Sequence, residues 1–412
     1  MIQLFKNLNF RYIFSSIFFF HFALISISLI QGWVIFDITN SANILGFILG
    51  SISVFSLSLI LIGGVLSDIY EKKKVVLVVC LCIGLPVLFL SVFFQFTNIK
   101  VEHIVLVSII GVLWTLFAAS FEAYIPVIVK KNELIKANSL IELNFGFAGL
   151  FSPLITSFIY KNYGIPATYI FVACLFLICG LLITFVSNTG SLSSKNITVF
   201  NLLKVSIKEF HNTLKFVKTS PVLIFSLFVL LVTCMFSWSL TQMFPVLIKD
   251  HLNLDVDSLA YLHMGATASI VVAGLIFSVV KIRLDTNLIV AILITGLLLP
   301  VLMFFVGYSN NYFQTLIFYI LCTLLGSSNH IFVKSIIHFR APANYRGKIL
   351  SLMEVTSSTI SGSALFVGPL VGWIGITNAF ATLCSLAFIL VGLGFLFYYK
   401  FNDNELENFI ST

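Results

Sequence analysis

The chain has 412 residues, of which 59% are hydrophobic and only 9% are charged. Soluble domains carry roughly 25% charged residues, so this composition excludes a cytosolic enzyme, a nucleic-acid-binding protein and a secreted domain. The mean hydropathy of +1.09 indicates a polytopic membrane protein. The net charge of +7 does not indicate a nucleic-acid partner, because the basic residues lie in short loops between apolar runs.

Twelve apolar runs are long enough to cross a bilayer as helices, for which about 20 residues suffice. They lie at 12–36, 44–66, 75–96, 104–128, 138–160, 167–188, 221–247, 259–280, 288–308, 313–338, 349–371 and 377–399. Backbone polar groups must be satisfied inside the bilayer, so these runs predict an all-α membrane protein with twelve transmembrane helices. The first run lacks a signal-peptide cleavage pattern and is predicted to be a retained span.

Lysine and arginine predict the orientation of the spans. With the N-terminus inside, 19 of these residues lie in cytoplasmic segments and 3 in outer loops. This bias predicts a multi-pass protein of the cytoplasmic membrane with both termini inside.

All seven cysteines lie in apolar runs. We expect them to be small buried side chains rather than members of disulfides, and we expect no cofactor or metal.

The longest stretch between spans divides the chain into two halves. We predict a six-helix half over 1–188, a cytoplasmic linker over 189–220, a second six-helix half over 221–400 and a cytoplasmic tail over 401–412. Apolar residues in the linker recur at steps of three and four, which predicts an amphipathic helix on the membrane surface. They are Phe200, Leu203, Ile207, Phe210, Leu214 and Val217.

An internal repeat relates the two halves. Residues 129–142 align without gaps with residues 341–354, at an offset of 212 positions. Identical residues include Lys136 with Lys348 and Glu142 with Glu354. Both segments follow the fourth span of their half, so the repeat indicates two pseudo-symmetric halves with a central site, as in transporters.

The loop after the second span resembles the signature loop of the major facilitator superfamily, G-x-L-x-D-R-x-G-R-K. The residues that match are Gly64, Leu66, Asp68, Lys72 and Lys73. The sequence departs from the pattern at Ile69 and Glu71. The resemblance implies that Asp68 bridges the two halves in the outward-facing state. Independently, an aspartate in such a loop can accept from a helix N-terminus, and the lysines favour the anionic cytoplasmic surface.

Three further stretches resemble one branch of that superfamily, the macrolide-efflux and enterobactin-exporter type of drug:proton antiporters. They are residues 33–46, 125–140 and 346–352. The resemblance implies a transporter that works as a monomer on a small-molecule substrate and protons in the lipid bilayer. The arginine that the family often carries in the fourth span is absent.

Four ionisable residues inside the predicted spans are candidates for proton coupling and gating, because charges in a membrane are costly and usually functional. They are Glu122, Glu142, Lys334 and Glu354. The repeat offset pairs Glu122 with Lys334. We hypothesise that Lys334 pairs with one or more of the glutamates, and that protonation rearranges the network. Pairing of each glutamate with nearby loop lysines is the structural alternative.

Candidate residues of the substrate cavity come from spans that line it in the resembled family. They are His21, Gln31, Trp114, Trp238, Gln242, Asn329 and His330. Aromatic and amide side chains suit amphipathic ligands. His330 and Lys334 are four residues apart and share one face of a helix.

These observations predict a secondary transporter that exports a small amphipathic drug or metabolite by alternating access, coupled to protons. A dedicated siderophore exporter and proton-coupled or facilitated uptake remain alternatives. A membrane enzyme is disfavoured because the ionisable residues are spread between the halves. A sensor is disfavoured because the tails are short.

Overall fold

A computed structural model describes residues 4–69, 71–96, 100–113, 128, 129, 133–187, 211–279 and 286–410. Within these ranges all regular elements are helices and no strand occurs, which confirms the all-α fold class. The predicted amphipathic helix spans residues 200–217. Its part up to residue 210 lies outside the described residues, and its last part, residues 211–217, is helical.

The first half of the described chain contains five α-helices, preceded by a short 3-10 helix at Leu4–Lys6. They are α1 (Leu8–Thr39), α2 (Ala42–Ile69), α3 (Lys72–Phe93), α4 (Val101–Gly111) and α5 (Leu134–Thr184). Helix α5 contains the predicted fifth and sixth spans in one run of 51 residues. It is broken at Gly164, whose φ of 77° lies in the left-handed region that favours glycine.

The second half contains eight helices and one irregular segment. The helices are α6 (Pro221–Val232), α7 (Val256–Val279), α8 (Thr286–Tyr308), α9 (Tyr312–Arg340), α10 (Ala343–Ser357), α11 (Thr359–Gly362), α12 (Ala364–Ile374) and α13 (Ile376–Ile410). After α6 the chain continues to His251 through alternating π, 3-10 and α turns. Helices α10 to α12 together correspond to the predicted eleventh span.

Nine helical segments among the described residues are long and apolar enough to cross a membrane. One of them, Leu143–Thr184, contains two predicted spans, and Ala42–Ser56 is a shorter apolar helix from the predicted second span. Most of the predicted fourth span lies outside the described residues. The full count of twelve and the orientation therefore stay predictions.

The chain forms two compact units. The first comprises Met1–Ser41, Ser51–Leu203 and Asp255–Met264, and the second comprises Ala42–Gly50, Lys204–Leu254 and Gly265–Thr412. The start of α2 therefore belongs to the second unit and the rest of α2 to the first. The start of α7 belongs to the first unit and the rest of α7 to the second.

Hydrogen bonds fix the register of α1 against α5 in the first unit. Ser152 Oγ donates to the Phe22 carbonyl at 3.0 Å, and Thr156 Oγ1 donates to Ser26 Oγ at 2.7 Å. Both bonds join residues 130 positions apart. A constant separation means that the two helices run parallel along this seam.

The core of the second unit lies between α6, α8, α9 and α13. Val229, Ile292, Val333 and Val391 are fully buried there. A Cβ atom at Gly296 would lie 2.5 Å from Val229 Cγ1, so this glycine lets α6 and α8 approach closely.

Candidate functional site

A cluster of ionisable side chains in the second unit is the main candidate site. The charges of Glu354 on α10 and Lys334 on α9 both act on the imidazole of His330. The charge of Glu354 also acts on the thiol of Cys234, in the irregular segment after α6. The elements that carry these four side chains contact one another, because α6, which continues directly into the segment with Cys234, packs against α9 and α10, and α9 packs against α10.

The charged groups of this cluster are accessible rather than locked into a direct pair. Glu354 and Lys334 are exposed, and His330 is half-buried. In the described part of the chain, all ion pairs within 4.0 Å lie elsewhere. A charge within a membrane span must face a water-filled cavity or a partner, so this arrangement favours a functional role for the cluster.

The backbone next to the cluster departs from regular α-helix in two adjacent elements. Residues 233–243 form π and 3-10 turns, and the short helix α11 packs against them. The hydroxyls of Ser358 and Thr359 donate to backbone carbonyls of the preceding turn, a pattern that bends helices. Irregular backbone inside a membrane is tolerated where it is buried in protein or lines a cavity, and it is frequent at functional sites.

Trp238 and Gln242 lie in this irregular segment. The indole of Trp238 packs directly against Gly326 of α9, where no room for a Cβ atom remains. Its ring also meets Tyr319 edge to face, with centroids 6.4 Å apart. Gln242 is half-buried. The absence of a side chain at Gly326 of α9 therefore creates the space in which the indole of Trp238 lies.

Asn329 lies in the core between α8 and α9. It is 2% exposed, and its Nδ2 donates to Thr295 Oγ1 at 2.8 Å and to the Ile292 carbonyl at 3.3 Å. Its Oδ1 has no hydrogen-bond partner among the described residues. The structure thus shows a packing contact for this candidate cavity residue.

Two candidates lie in the first unit, on α1. His21 meets Phe145 edge to face, with ring centroids 5.1 Å apart, and its buried Nδ1 has no partner within the described ranges. The Nε2 of Gln31 donates to Ser108 Oγ, which ties α1 to α4. Gln31 is therefore engaged in packing, whereas the ring contact of His21 leaves its Nδ1 without a hydrogen bond among the described residues.

For several of the predicted site residues, the side chain lies outside the part of the chain that the structure describes. Glu122 and Trp114 lie outside the described residues. The side chains of five others also lie outside them, although their backbones belong to α2, α3 and α5. These five are Gly64, Leu66, Asp68, Lys72 and Glu142. The roles of Asp68 and Glu142 therefore stay predictions.

Lys73 of the signature loop connects two helices. Its Nζ donates to the carbonyls of Thr184 at 2.9 Å and Val186 at 2.5 Å. These carbonyls lie at the C-terminal end of α5, where a lysine satisfies acceptors that have no helical partner. The sequence predicted only an interaction of this lysine with the membrane surface.

The sequence-based candidates also omitted contacts that involve the starts of α2 and α7. Lys161 Nζ lies 2.7 Å from a carboxylate oxygen of Asp257, which raises the pKa of the lysine. Gly46 contacts the backbone of Gly368. No local pattern in the sequence relates residues this far apart. The sequence also did not indicate that Cys234 lies near Glu354, because a cysteine in an apolar run predicts only packing.

No group of three or more His, Cys, Asp or Glu side chains that could hold a metal occurs in the described ranges.

Solved structures of membrane transporters share this fold. A crystal structure of a POT family transporter in complex with 5-aminolevulinic acid has a TM-score of 0.72 and 12% identity, covering 95% of this chain and 96% of that chain. A bacterial homolog of the human lysosomal transporter Spinster has a TM-score of 0.69 and 10% identity, covering 96% and 97%. A mutant of the nucleoside transporter NupG has a TM-score of 0.69 and 14% identity, covering 95% and 99%.

Sequence comparison gives the family. No curated protein matches the sequence. The family model described as Major Facilitator Superfamily matches residues 13–366, which is most of the chain. The identities to solved structures are low and show the fold alone, but the family match confirms the superfamily predicted from the signature loop. The chain therefore belongs to the major facilitator superfamily of membrane transporters.

Proposed function

We propose that the protein exports a small amphipathic molecule, a drug or a metabolite, across the cytoplasmic membrane by alternating access in exchange for protons. The observation that carries this proposal is the cluster of Glu354, His330 and Lys334 in the second unit. Titratable groups that interact within a span are candidates for proton relays. The resemblance of the sequence to the branch of drug:proton antiporters supports export rather than uptake.

The cluster offers a simple coupling step. An ionised Glu354 attracts Lys334, which draws α10 towards α9. Binding of a proton to Glu354 removes this attraction and leaves the positive charge of Lys334 uncompensated. The protonated and the unprotonated forms of Glu354 therefore favour different arrangements of α9 and α10. A substrate that binds one of these arrangements more tightly is thereby coupled to the binding of the proton.

The surroundings of the cluster favour an amphipathic substrate. The irregular segment supplies Trp238 and Gln242, and Phe236 pairs with Phe366 at a centroid separation of 6.1 Å. The hydroxyls of Ser358 and Thr359 donate to the backbone, so their remaining lone pairs are acceptors for a ligand. Aromatic faces with a few acceptors suit a partly apolar ligand that carries hydrogen-bond donors.

A siderophore exporter of the enterobactin-exporter type is the second candidate. Siderophores are often anionic, and Lys334 is an exposed cation with no direct ion pair among the described residues. Residues 346–352 resemble a branch that includes both drug exporters and siderophore exporters, so this resemblance does not choose between the two candidates. Uptake of a small metabolite would use the same cycle in the opposite direction.

Untargeted mass spectrometry of cells and medium tests both direction and substrate. Cells that contain the wild-type protein, the Glu354→Gln variant or no protein are grown in iron-poor and iron-replete media. Export predicts a compound that accumulates in the medium with the wild type and inside the cells with Glu354→Gln. The exposed Glu102 at the start of α4 gives a matched control, Glu102→Gln, which should behave as the wild type.

The outcomes separate the candidates. A chelating compound that is exported only under iron-poor conditions identifies a siderophore exporter. An amphipathic compound exported under both conditions supports the first proposal. A compound that enters the cells only when the protein is present contradicts export and supports uptake.

A further inference from the structure

A pocket opens where the ends of three helices of the second unit meet. Helix α6 begins there, at Pro221, and α9 ends there, at Arg340. The pocket is lined by Val222 of α6, Leu288 and Ile289 of α8, and Ile336, Phe339 and Arg340 of α9. All of these residues belong to one compact unit. We call this site the helix-end pocket.

The helix-end pocket lies at the predicted edge of the bilayer. The apolar runs of its three helices begin at residues 221 and 288 and end at residue 338, all on the predicted cytoplasmic side. Val222, Leu288 and Ile336 therefore lie within one turn of the end of a predicted span, whereas Arg340 lies two residues beyond. The lining thus reaches from the hydrocarbon core to the headgroup region of the inner leaflet.

The walls of the pocket are apolar. Leu288, Ile289 and Ile336 are 2%, 7% and 3% exposed, and Val222 is half-buried. Phe339 is 57% exposed, so the pocket is open on this side. These five side chains offer no hydrogen-bond donor or acceptor, so they suit a hydrocarbon chain rather than a polar solute.

The polar side chain that lines the pocket is a cation. Arg340 is exposed at the last position of α9. It follows Ile336 by one helical turn, so the lining changes from apolar to cationic over about 6 Å. A phospholipid has the same order of apolar chain and anionic phosphate, and a guanidinium group binds a phosphate through two parallel hydrogen bonds.

The charges around the pocket favour an anionic headgroup. Lys215 and Lys218 are exposed in the segment before α6, and His338 is exposed in the last turn of α9. None of the residues 211–222, 286–292 and 336–340 is Asp or Glu. In the sequence, the loop before α8 adds Lys281, Arg283 and Asp285. Basic residues at the cytoplasmic surface attract the anionic lipids of that leaflet.

We infer that the helix-end pocket is a binding site for an anionic phospholipid of the inner leaflet, with the phosphate on the guanidinium of Arg340 and one acyl chain along the apolar walls. The inference goes beyond the proposed function, because lipid binding depends neither on the exported compound nor on proton coupling. A lipid bound here joins the ends of α6, α8 and α9, so it stabilises the folded protein.

Native mass spectrometry of the full-length protein tests this inference without transport. The protein is purified in a neutral detergent and titrated with phosphatidylglycerol or phosphatidylcholine, and the bound lipid molecules are counted at each concentration. We expect one phosphatidylglycerol molecule to bind more tightly than the rest, and several-fold more tightly than phosphatidylcholine. Equal affinities for the two lipids would overturn the inference.

The charge of Arg340 should decide the affinity for the headgroup. Arg340→Gln should weaken the tight binding of phosphatidylglycerol about tenfold, because a charge-assisted contact to the phosphate is lost. Arg340→Lys keeps the charge and should retain most of the affinity. Arg11 of α1 is also exposed on the predicted cytoplasmic side, so Arg11→Gln is the matched control and should bind as the wild type. Equal weakening by Arg340→Gln and Arg11→Gln would show unspecific attraction to a basic surface and contradict the site.

The apolar walls separate a lipid site from a site for a soluble anion. Val222→Phe fills part of the pocket and should weaken the binding of phosphatidylglycerol about fourfold or more. Ile224 lies on the same helix, is 39% exposed and does not line the pocket, so Ile224→Phe is the control. Inorganic phosphate has no acyl chain and should not displace the lipid. Displacement by inorganic phosphate, or an unchanged affinity in Val222→Phe, would rule out a lipid as the occupant.

Discussion

Glu354 on α10 lies close enough to His330 on α9 for its charge to act on the imidazole, and Lys334, one turn along α9, acts on the same ring with the opposite sign. A carboxylate and an ammonium group near one imidazole interact electrostatically, so a change in the charge of one group changes the forces on the other two. Such a unit can bias the packing of α9 against α10, and this is the physical basis for the proposed coupling.

A double-mutant cycle tests whether Lys334 and Glu354 act together. We expect Lys334→Gln and Glu354→Gln each to lower the initial rate of export in membrane vesicles by about tenfold or more, equivalent to roughly 1.4 kcal/mol. The double variant should be no slower than the slower single variant, because residues of one network are not additive. Rates that multiply in the double variant would show two independent roles.

Lys73 should contribute to stability through the end of α5. Lys73→Met removes two charge-assisted hydrogen bonds to backbone carbonyls, and we expect a loss of about 1–2 kcal/mol in the free energy of unfolding. The measurement is thermal unfolding of the purified protein in detergent. Lys74 is exposed, and its ion pair among the described residues is with Glu71 three residues earlier, so Lys74→Met should change the unfolding temperature little. Equal effects of the two variants would argue against this role of Lys73.

Gly326 should control the position of Trp238. Gly326→Ala inserts a methyl group where the indole lies, so we expect the indole to move and transport to fall while the protein still folds. Tryptophan fluorescence and export rates give the two readings. Gly392 is open, since no atom of the described residues lies within 4 Å of an added Cβ, and Gly392→Ala provides the control. Unchanged transport in Gly326→Ala would mean that the tryptophan position does not matter.

Asn329 should stabilise the packing of α8 against α9. Asn329→Leu removes its hydrogen bond to Thr295 and leaves the Ile292 carbonyl without this donor, so we expect a loss of about 1–3 kcal/mol in the free energy of unfolding. Asn378→Ala at an exposed helix start should cost much less. Chemical denaturation in mixed micelles gives both values. A stable Asn329→Leu protein with altered substrate preference would instead favour a direct role in the cavity.

Hydropathy predicted most helices because burial in lipid needs only an apolar run of sufficient length. The predicted limits of 313–338 lie within α9 at Tyr312–Arg340, which is capped by Asn311 at its start and carries the basic residues His338 and Arg340 in its last turn. The helical character of the chain and its superfamily were both predicted correctly. The spacing of His330 and Lys334 also placed them on one face without any structure.

Other features were beyond the sequence for physical reasons. The run 221–247 is apolar throughout, and hydropathy does not distinguish an α-helix from the π and 3-10 turns that follow Val232. The partners of Lys161 and Gly46 are distant in the chain, and hydropathy reports burial but not partners. Asp68 and Glu142 keep their predicted roles as hypotheses.

Proton flux through the purified protein tests the central claim most directly. Proteoliposomes with a pH-sensitive dye inside receive the exported compound identified by mass spectrometry, and the change in internal pH is recorded for the wild type, Glu354→Gln and Glu102→Gln. Proton-coupled export by the cluster predicts substrate-dependent proton movement in the wild type and in Glu102→Gln, and none in Glu354→Gln. Transport of the compound with equal proton movement in Glu354→Gln and the wild type would contradict the claim.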